Sequence, residues 1–424
     1  MNHSKEKFPW LPLLAMAFAY AASYNAPYIR YYLYDAMIDA IGCSNVQLSF
    51  LTTVSVITAA ISSVPGGIVA DRFSTKKCIM ISVVLNLPLC VIAALFSSVY
   101  WVQLAVWAMF GFTTGFAFWP AVLTAIRVIG GRDHQSTAYG IFECCQGLLA
   151  TITLSISTWV FTWFADEIVG YQMALIAMGV FAFVSGMMVM IFYKEDADAE
   201  KSLEAPKEKE KISAADVIAL FRNPYLWIAS ISIASVYGLY ISQSYLTPYF
   251  TDVLKVSVAF SGFFAIFRDS GTKVIGGPIG GVVAKIMKSS SLLMAIALFL
   301  NAGMIFGISQ MRGSGSSIMV MIMAVVLLNA MICMMAKGVM WSTMDEVNIP
   351  VRLSGTAISI VTLIAIYLPD AVLPMINGSL LDTYADNLPK AYTYYFAILI
   401  GLALVGAAAS LLIFIKGKMQ KSAK

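Results

Sequence analysis

The sequence predicts an all-α membrane protein of twelve transmembrane helices in two pseudo-symmetric six-helix bundles. Three observations predict it: the composition, the spacing of apolar segments, and an internal repeat near half the chain length. Of 424 residues, 60% are hydrophobic and only 12% are charged, a balance no ordinary water-soluble domain carries. The solvent for most of this chain is lipid.

A membrane-crossing helix needs about 20 mostly apolar residues. Twelve such segments fit, over 9–34, 46–70, 78–98, 101–126, 137–163, 170–193, 225–250, 258–286, 290–310, 317–344, 353–381 and 391–415. The first carries Pro9, Pro12, Pro27, Ser23, Asn25 and Arg30 and lacks the small-residue cleavage end of a signal peptide, so it reads as a retained span.

Orientation follows from Lys and Arg placement. Twenty of the 27 basic residues fall at the two termini and in the loops near 71–77, 127–136, 194–222, 285–289 and 345–352. The opposite side has Lys255, Arg312 and Lys390, and Arg30, Arg268, Lys273 and Lys337 lie inside spans. Both termini are therefore expected in the cytoplasm, with the chain in a plasma membrane, specifically a bacterial inner membrane. The net charge of +4 reflects topology, and no nucleic-acid partner is expected. The cysteines, among them the adjacent Cys144 and Cys145, show no metal-ligand spacing or disulfide framework, and the two histidines, His3 and His134, lie outside the spans. No metal or cofactor is expected.

The one long hydrophilic stretch, Lys194–Asn223, sits mid-chain and reads as a linker between bundles over 1–193 and 224–424, with Ala214–Phe221 as a short amphipathic helix. The halves repeat. Gly66-Gly67-Ile68-Val69-Ala70 aligns with Gly280-Gly281-Val282-Val283-Ala284 at an offset of 214, and Tyr28 to Asp35 with Tyr245 to Asp252 at 217. Ser136-Thr137-Ala138 matches Gly355-Thr356-Ala357 at 219.

Parallel repeated halves with a midplane site describe one large class of secondary transporter. The segment Gly67-x-x-x-Asp71-Arg72-x-x-x-Lys76-Lys77, at the junction of the second and third spans, resembles the signature loop of the major facilitator superfamily. Ser74 and Thr75 stand where that family favours glycine and a basic residue. The resemblance implies a twelve-span secondary transporter working by alternating access as a monomer. The antiporter glycine–proline motif of the fifth span and the arginine motif of the fourth are not found, which argues against drug:proton antiport. Physically, Asp71 at a helix end can meet the positive N-terminus of a neighbouring helix and latch one state. The plainer reading is a positive-inside anchor, which accounts for Lys76 and Lys77 but not for the acid.

Ionisable groups inside spans are costly, at least ~2.5–3.5 kcal/mol at midplane, and so are functional candidates. Arg30 in the first span is placed to fork onto a carboxylate or phosphate, or else to snorkel outward among Tyr28, Tyr31, Tyr32 and Tyr34. Asp269 and Lys273, spaced i, i+4 in the eighth span, read as a structural pair. Arg268 lies about 100° from Asp269 on an α-helix and is the leading binding candidate. An arginine in the eighth span is similar in position to those of some carboxylate transporters of the superfamily. Lys337 in the tenth span adds a third cation. Glu143 and Asp370 are candidate proton carriers, or counter-ions for Arg127 or Lys337 and for Arg30 or Arg268.

With Asp269 and Lys273 set aside as a pair, three cations face two acids, and the expected substrate is a small organic anion: a carboxylate, sugar acid, sulfonate or phosphate ester. The coupling ion is expected to be the proton, in symport. Tyr24, Asn25, Tyr240 and Gln243 in spans one and seven, with Trp119 in span four, offer stacking and hydrogen-bond groups suited to a hydroxylated or sugar-derived acid. Trp119-Pro120 is loosely similar to the organophosphate exchanger branch. An anion:anion exchanger and a transport-dead sensor on the same fold remain as alternatives. An enzyme is not expected, because no HExxH, GxSxG or His/Cys cluster occurs.

Overall fold

A computed structural model describes residues 9–70, 73–130, 135–195, 214–311, 316–347 and 354–422. Among them there is no strand, and ten helical segments are long and apolar enough to cross a bilayer. These are Asn45–Ser63, Thr75–Leu95, Tyr100–Gly130, Ile141–Phe161, Glu167–Phe192, Pro224–Val253, Ser290–Gln310, Ser317–Met344, Thr356–Thr383 and Ala385–Met419. The two remaining spans of the twelve are the first and the eighth. The first has only the 16 helical residues Trp10–Asn25, and the eighth carries Arg268, Asp269 and Lys273 within six positions. The two spans that fall short are thus the two that hold the candidate arginines.

Local chemistry ends the first helix sooner than its apolar run suggests. Pro27 lacks an amide hydrogen, and the α-helix stops at Asn25, followed by a 3-10 turn, Ile29–Tyr31, and a second helix, Tyr34–Ile41. Arg30 therefore sits in the turn and not on a continuing span 9–34 as expected. The eighth and eleventh spans also depart from simple helices, with π-helical turns at Phe267–Gly271 and Leu363–Tyr367, and a third such turn, Tyr249–Val253, ends the seventh. All three lie in the C-terminal half. A π turn carries one extra residue and shifts the phase of everything after it.

The chain divides into two compact units, Met1–Cys43 with Val54–Lys207 and Ser44–Thr53 with Glu208–Lys424. In the first, the helix Trp10–Asn25 packs against Gln135–Phe161 and Glu167–Phe192 around a core that includes Leu13, Met16, Phe118, Val122 and Phe142. In the second, Asp382 caps the start of the helix Asn45–Ala70. Its carboxylate accepts from the Asn45 amide at 2.9 Å, the Asn45 side chain at 2.8 Å and the Val46 amide at 2.8 Å. The linker helix runs over Ala214–Arg222, one residue beyond the expected end.

The repeat has a physical meaning in each unit. A Cβ on Gly66 would lie 1.6 Å from the backbone oxygen of Phe116, and one on Gly280 would lie 2.2 Å from that of Met335. Both repeat-related glycines thus let two backbones touch, the way helices pack where lipid offers no hydrophobic drive. The next helix in each half starts on a serine cap. Ser74 accepts from the Lys77 amide at 3.2 Å and donates to Glu195 at 2.5 Å, while Ser289 accepts from the Leu292 amide at 3.2 Å and donates to Glu346 at 3.0 Å.

Candidate functional site

In the first unit the site is built from one face of the first span. Between Ala19 and Tyr28 every residue is buried except Tyr20, Tyr24 and Tyr28, which are half-buried and spaced i, i+4, i+8. A lipid-facing stripe would be aliphatic, whereas this one is phenolic. Tyr20 is the hub, with ring centroids 4.6 Å from Tyr24, 5.3 Å from Trp119 and 5.6 Å from Phe142. Tyr24 stacks on Tyr28 at 6.3 Å, and Tyr28 meets the edge of Tyr31 at 5.3 Å. The Arg30 guanidinium lies 5.0 Å from the Tyr31 centroid, a cation–π contact that closes the ladder. Only 1% of Arg30 is exposed, so the side chain is held inside the unit and does not snorkel.

The other candidates of this unit have local partners. Asn25 donates through Nδ2 to Thr153 at 2.8 Å, which spends its amide on the fifth span. Glu143 is exposed and accepts from Gln146, one turn along its own helix, at 2.5 Å. Of the signature loop, Gly67 lies in the helix Asn45–Ala70, while Asp71 and Arg72 lie outside the described residues. Lys76 donates to the Met190 carbonyl at 2.7 Å, and Lys77 is exposed.

In the second unit, the π turn Phe267–Gly271 presents Arg268, which is 1% exposed and donates through Nη2 to Thr247 Oγ1 at 3.4 Å. Thr247 is the residue that the repeat aligns with Arg30. Each half therefore holds a buried arginine, Arg30 on the first span of one and Arg268 on the eighth span of the other, and Arg268 reaches the residue that the repeat aligns with Arg30. Arg268 and Asp269 lie in the π turn, so the 100° α-helical spacing assumed between them does not apply, while Lys273 lies in the α-helix that follows; Asp269 and Lys273 are both half-buried.

Lys337 stacks over Tyr240 with Nζ 3.7 Å from the ring centroid, and Tyr240 lies 5.9 Å from Tyr237. Tyr237 donates to Asp370 Oδ2 at 3.2 Å, and Asp370 is 3% exposed. The structure thus separates the two acids that sequence treated alike: Asp370 is buried against the tyrosine face, and Glu143 is open. Gln243 and Asn377 are buried close by, linked through Ser242, whose Oγ accepts from Asn377 at 3.3 Å.

Sequence reasoning named Tyr24 and Tyr240 but missed Tyr20 and Tyr237, which the repeat aligns at an offset of 217. The i, i+4, i+8 spacing of Tyr20, Tyr24 and Tyr28 was the available signal. Nothing local marked Asn377.

A helical membrane protein that buries guanidinium groups beside half-open tyrosine faces has the parts of a solute carrier. Residues 13–374 match the family model of the Major Facilitator Superfamily, and the chain belongs to that superfamily of transporters; it is not an enzyme. Among curated relatives it is 26% identical over 409 residues to the inner membrane protein YqcE of Escherichia coli, covering 96% of this chain and 94% of that one. It is 24% identical over 315 residues to the inner membrane protein YihN of the same organism, with 74% of each chain covered. Among solved structures it resembles a bacterial homolog of the human lysosomal transporter Spinster (TM-score 0.74, 14% identity, 97% and 98% covered). It also resembles the nucleoside transporter NupG (TM-score 0.74, 13% identity, 95% and 98% covered) and a D-xylose-proton symporter (TM-score 0.72, 13% identity, 96% and 97% covered). At these identities the structural likeness is one of fold.

Proposed function

We propose that this transporter moves a small organic anion across a bacterial inner membrane by alternating access, as a proton symporter and a monomer, with both termini cytoplasmic and two bundles joined by the linker 194–223. The observation that carries the reading is the burial of two guanidinium groups, Arg30 in one half and Arg268 in the other, the latter donating to the residue that the repeat aligns with Arg30. A planar fork of N–H donors suits a carboxylate, sulfonate or phosphate better than any neutral solute. Lys337 on Tyr240 adds cationic character to the second half. The relatives named as inner membrane proteins and the concentration of Lys and Arg on one side support the location and orientation.

For the coupling ion, Asp370 is the stronger of the two acids. It is buried, and it is hydrogen-bonded to a tyrosine of the face that would contact the substrate. A buried carboxyl that binds and loses a proton changes the charge of the site by one, which links substrate and proton occupancy.

The test is Arg268→Ala beside Arg268→Lys in purified protein, with melting temperature and ligand-induced stabilisation read on the same samples over carboxylates, sugar acids, sulfonates and phosphate esters. The Ala variant is expected to fold and to lose stabilisation by the anion. The Lys variant keeps the charge but not the fork, and is expected to bind roughly tenfold or more weakly, in line with a charge-assisted hydrogen bond of about 1.5–3 kcal/mol. A folded Ala variant with wild-type affinity for the anion refutes the assignment.

A further inference from the structure

We propose that the short helix Ala214–Arg222 lies in the membrane surface and binds anionic phospholipid, with its apolar side chains among the acyl chains and its basic end at the headgroup phosphates. This lipid contact is independent of the solute that the protein carries.

The helix shows apolar side chains to its surroundings. Ile218 and Phe221 stand one turn apart on one face and are 53% and 44% exposed, with Ala219 exposed beside them, while Leu220 is buried. Arg222, also exposed, ends the helix. A helix with aliphatic and aromatic residues on one side and basic charge at its polar edge settles at the boundary between headgroups and acyl chains.

The span that follows sets the depth. Trp227, in the first turn of the helix Pro224–Ser242, donates its indole N–H to the Phe221 carbonyl at 2.8 Å, and the two rings lie 6.2 Å apart. Tryptophan concentrates where hydrocarbon gives way to water. Trp227 is 40% exposed, and the repeat aligns it, at an offset of 217, with Trp10, which starts the first span of the other half and is also exposed. The indole bond thus ties the end of the short helix to the level of the interface. Trp227 and Ile231, one turn apart on a segment long and apolar enough to cross the bilayer, are both exposed, so the bare face of Ile218 and Phe221 continues a face that meets lipid.

Charge selects the lipid. The Asn223 side chain accepts from the Tyr225 amide at 3.0 Å where the chain turns into the span, and Lys416 Nζ lies 2.9 Å from the Tyr225 ring centroid. The last helix is therefore brought to the mouth of this span at its basic end, three residues along the chain from Arg222. From Asn387 to Lys424 the sequence has Lys390, Lys416, Lys418, Lys421 and Lys424 and no acid. The single acid of the short helix, Asp216, stands in its first turn, at the end opposite Arg222. Each basic residue at a membrane surface favours an anionic over a zwitterionic leaflet about fivefold. A soluble anion would answer the charge and leave Ile218 and Phe221 bare, whereas an anionic lipid answers both.

The experiment reads hydrogen exchange at the amides of 214–222 in the purified full chain, held in nanodiscs of phosphatidylcholine alone or of equimolar phosphatidylcholine and phosphatidylglycerol. Exchange is expected to be about fivefold slower, or more, with phosphatidylglycerol, and high salt should shrink the difference. Arg222→Gln is expected to narrow the gap between the two lipids. Phe221→Gln, which keeps helix propensity and loses the apolar contact, is expected to speed exchange in both. Both side chains are exposed, so both variants should keep the parent's melting temperature; should either fail to fold, the parent alone decides through the two lipids. Exchange equally slow in both lipids and in detergent means that protein contacts hold the helix, and overturns the proposal. Protection seen only when two copies share a disc makes a second chain the occupant and also overturns it, as does a folded Phe221→Gln protein that exchanges like the parent.

Discussion

Gly280 and Gly281 are adjacent in the helix Thr272–Met287, and an alanine at each should move stability in opposite directions. At Gly281 a new Cβ meets nothing within 4 Å, so Gly281→Ala brings only the helix-propensity gain of ~0.5–1 kcal/mol. At Gly280 the same methyl would stand 2.2 Å from the Met335 oxygen and 2.8 Å from its carbonyl carbon and Cα, all backbone atoms that no rotamer change can move. A carbon and a carbonyl oxygen need about 3.3 Å, so the two helices must part by roughly 1 Å. A gap of that size forfeits a quarter to a half of each dispersion contact along the seam. Overpacking of this kind costs about 1–3 kcal/mol. The propensity gain is common to both variants, so the difference between them isolates the packing cost, and Gly280→Ala should be the less stable by ~1–3 kcal/mol. Melting temperatures in one detergent, on the two variants and the parent, read this directly. Equal melting temperatures, or a Gly280→Ala protein more stable than Gly281→Ala, would refute the backbone-contact argument and with it the physical account of the repeat.

Three further outcomes follow from single groups. Asp370→Asn should abolish accumulation driven by a pH gradient while keeping substrate counterflow, because exchange need not release the proton; loss of both in a folded protein would make Asp370 a structural partner of Tyr237 instead. Glu346 accepts from Ser289 Oγ, the Ser290 and Ser291 amides and Ser291 Oγ, so Glu346→Gln should lower stability by ~1.5–3 kcal/mol in a denaturation series, and an unchanged midpoint would contradict it. Removing the carboxylate that caps the helix at Asn45, by Asp382→Asn, should raise hydrogen exchange several-fold at the Asn45 and Val46 amides and little elsewhere, as expected for a cap worth ~0.5–2 kcal/mol; uniform exchange across the helix would count against a local cap.

By itself the sequence determined the class of the protein: an all-helical chain of membrane spans belonging to the major facilitator superfamily. Hydropathy, charge placement and repeat spacing are properties of the chain read in order, and lipid imposes them segment by segment. It also determined that cations lie within spans, because composition alone reveals a charge where lipid should be. Tertiary structure decided what those charges do. The break after Asn25 put Arg30 in a turn over Tyr31, and the π turn at Phe267–Gly271 set the direction of Arg268 toward Thr247, 21 residues away. Burial of Asp370 against Tyr237, 133 residues away, distinguished it from Glu143, which sequence could not do. The physical reason is the same throughout. Partition into lipid sums over a segment and can be read locally, whereas hydrogen bonds and close helix contacts depend on short distances between residues far apart in the chain, which no linear pattern specifies.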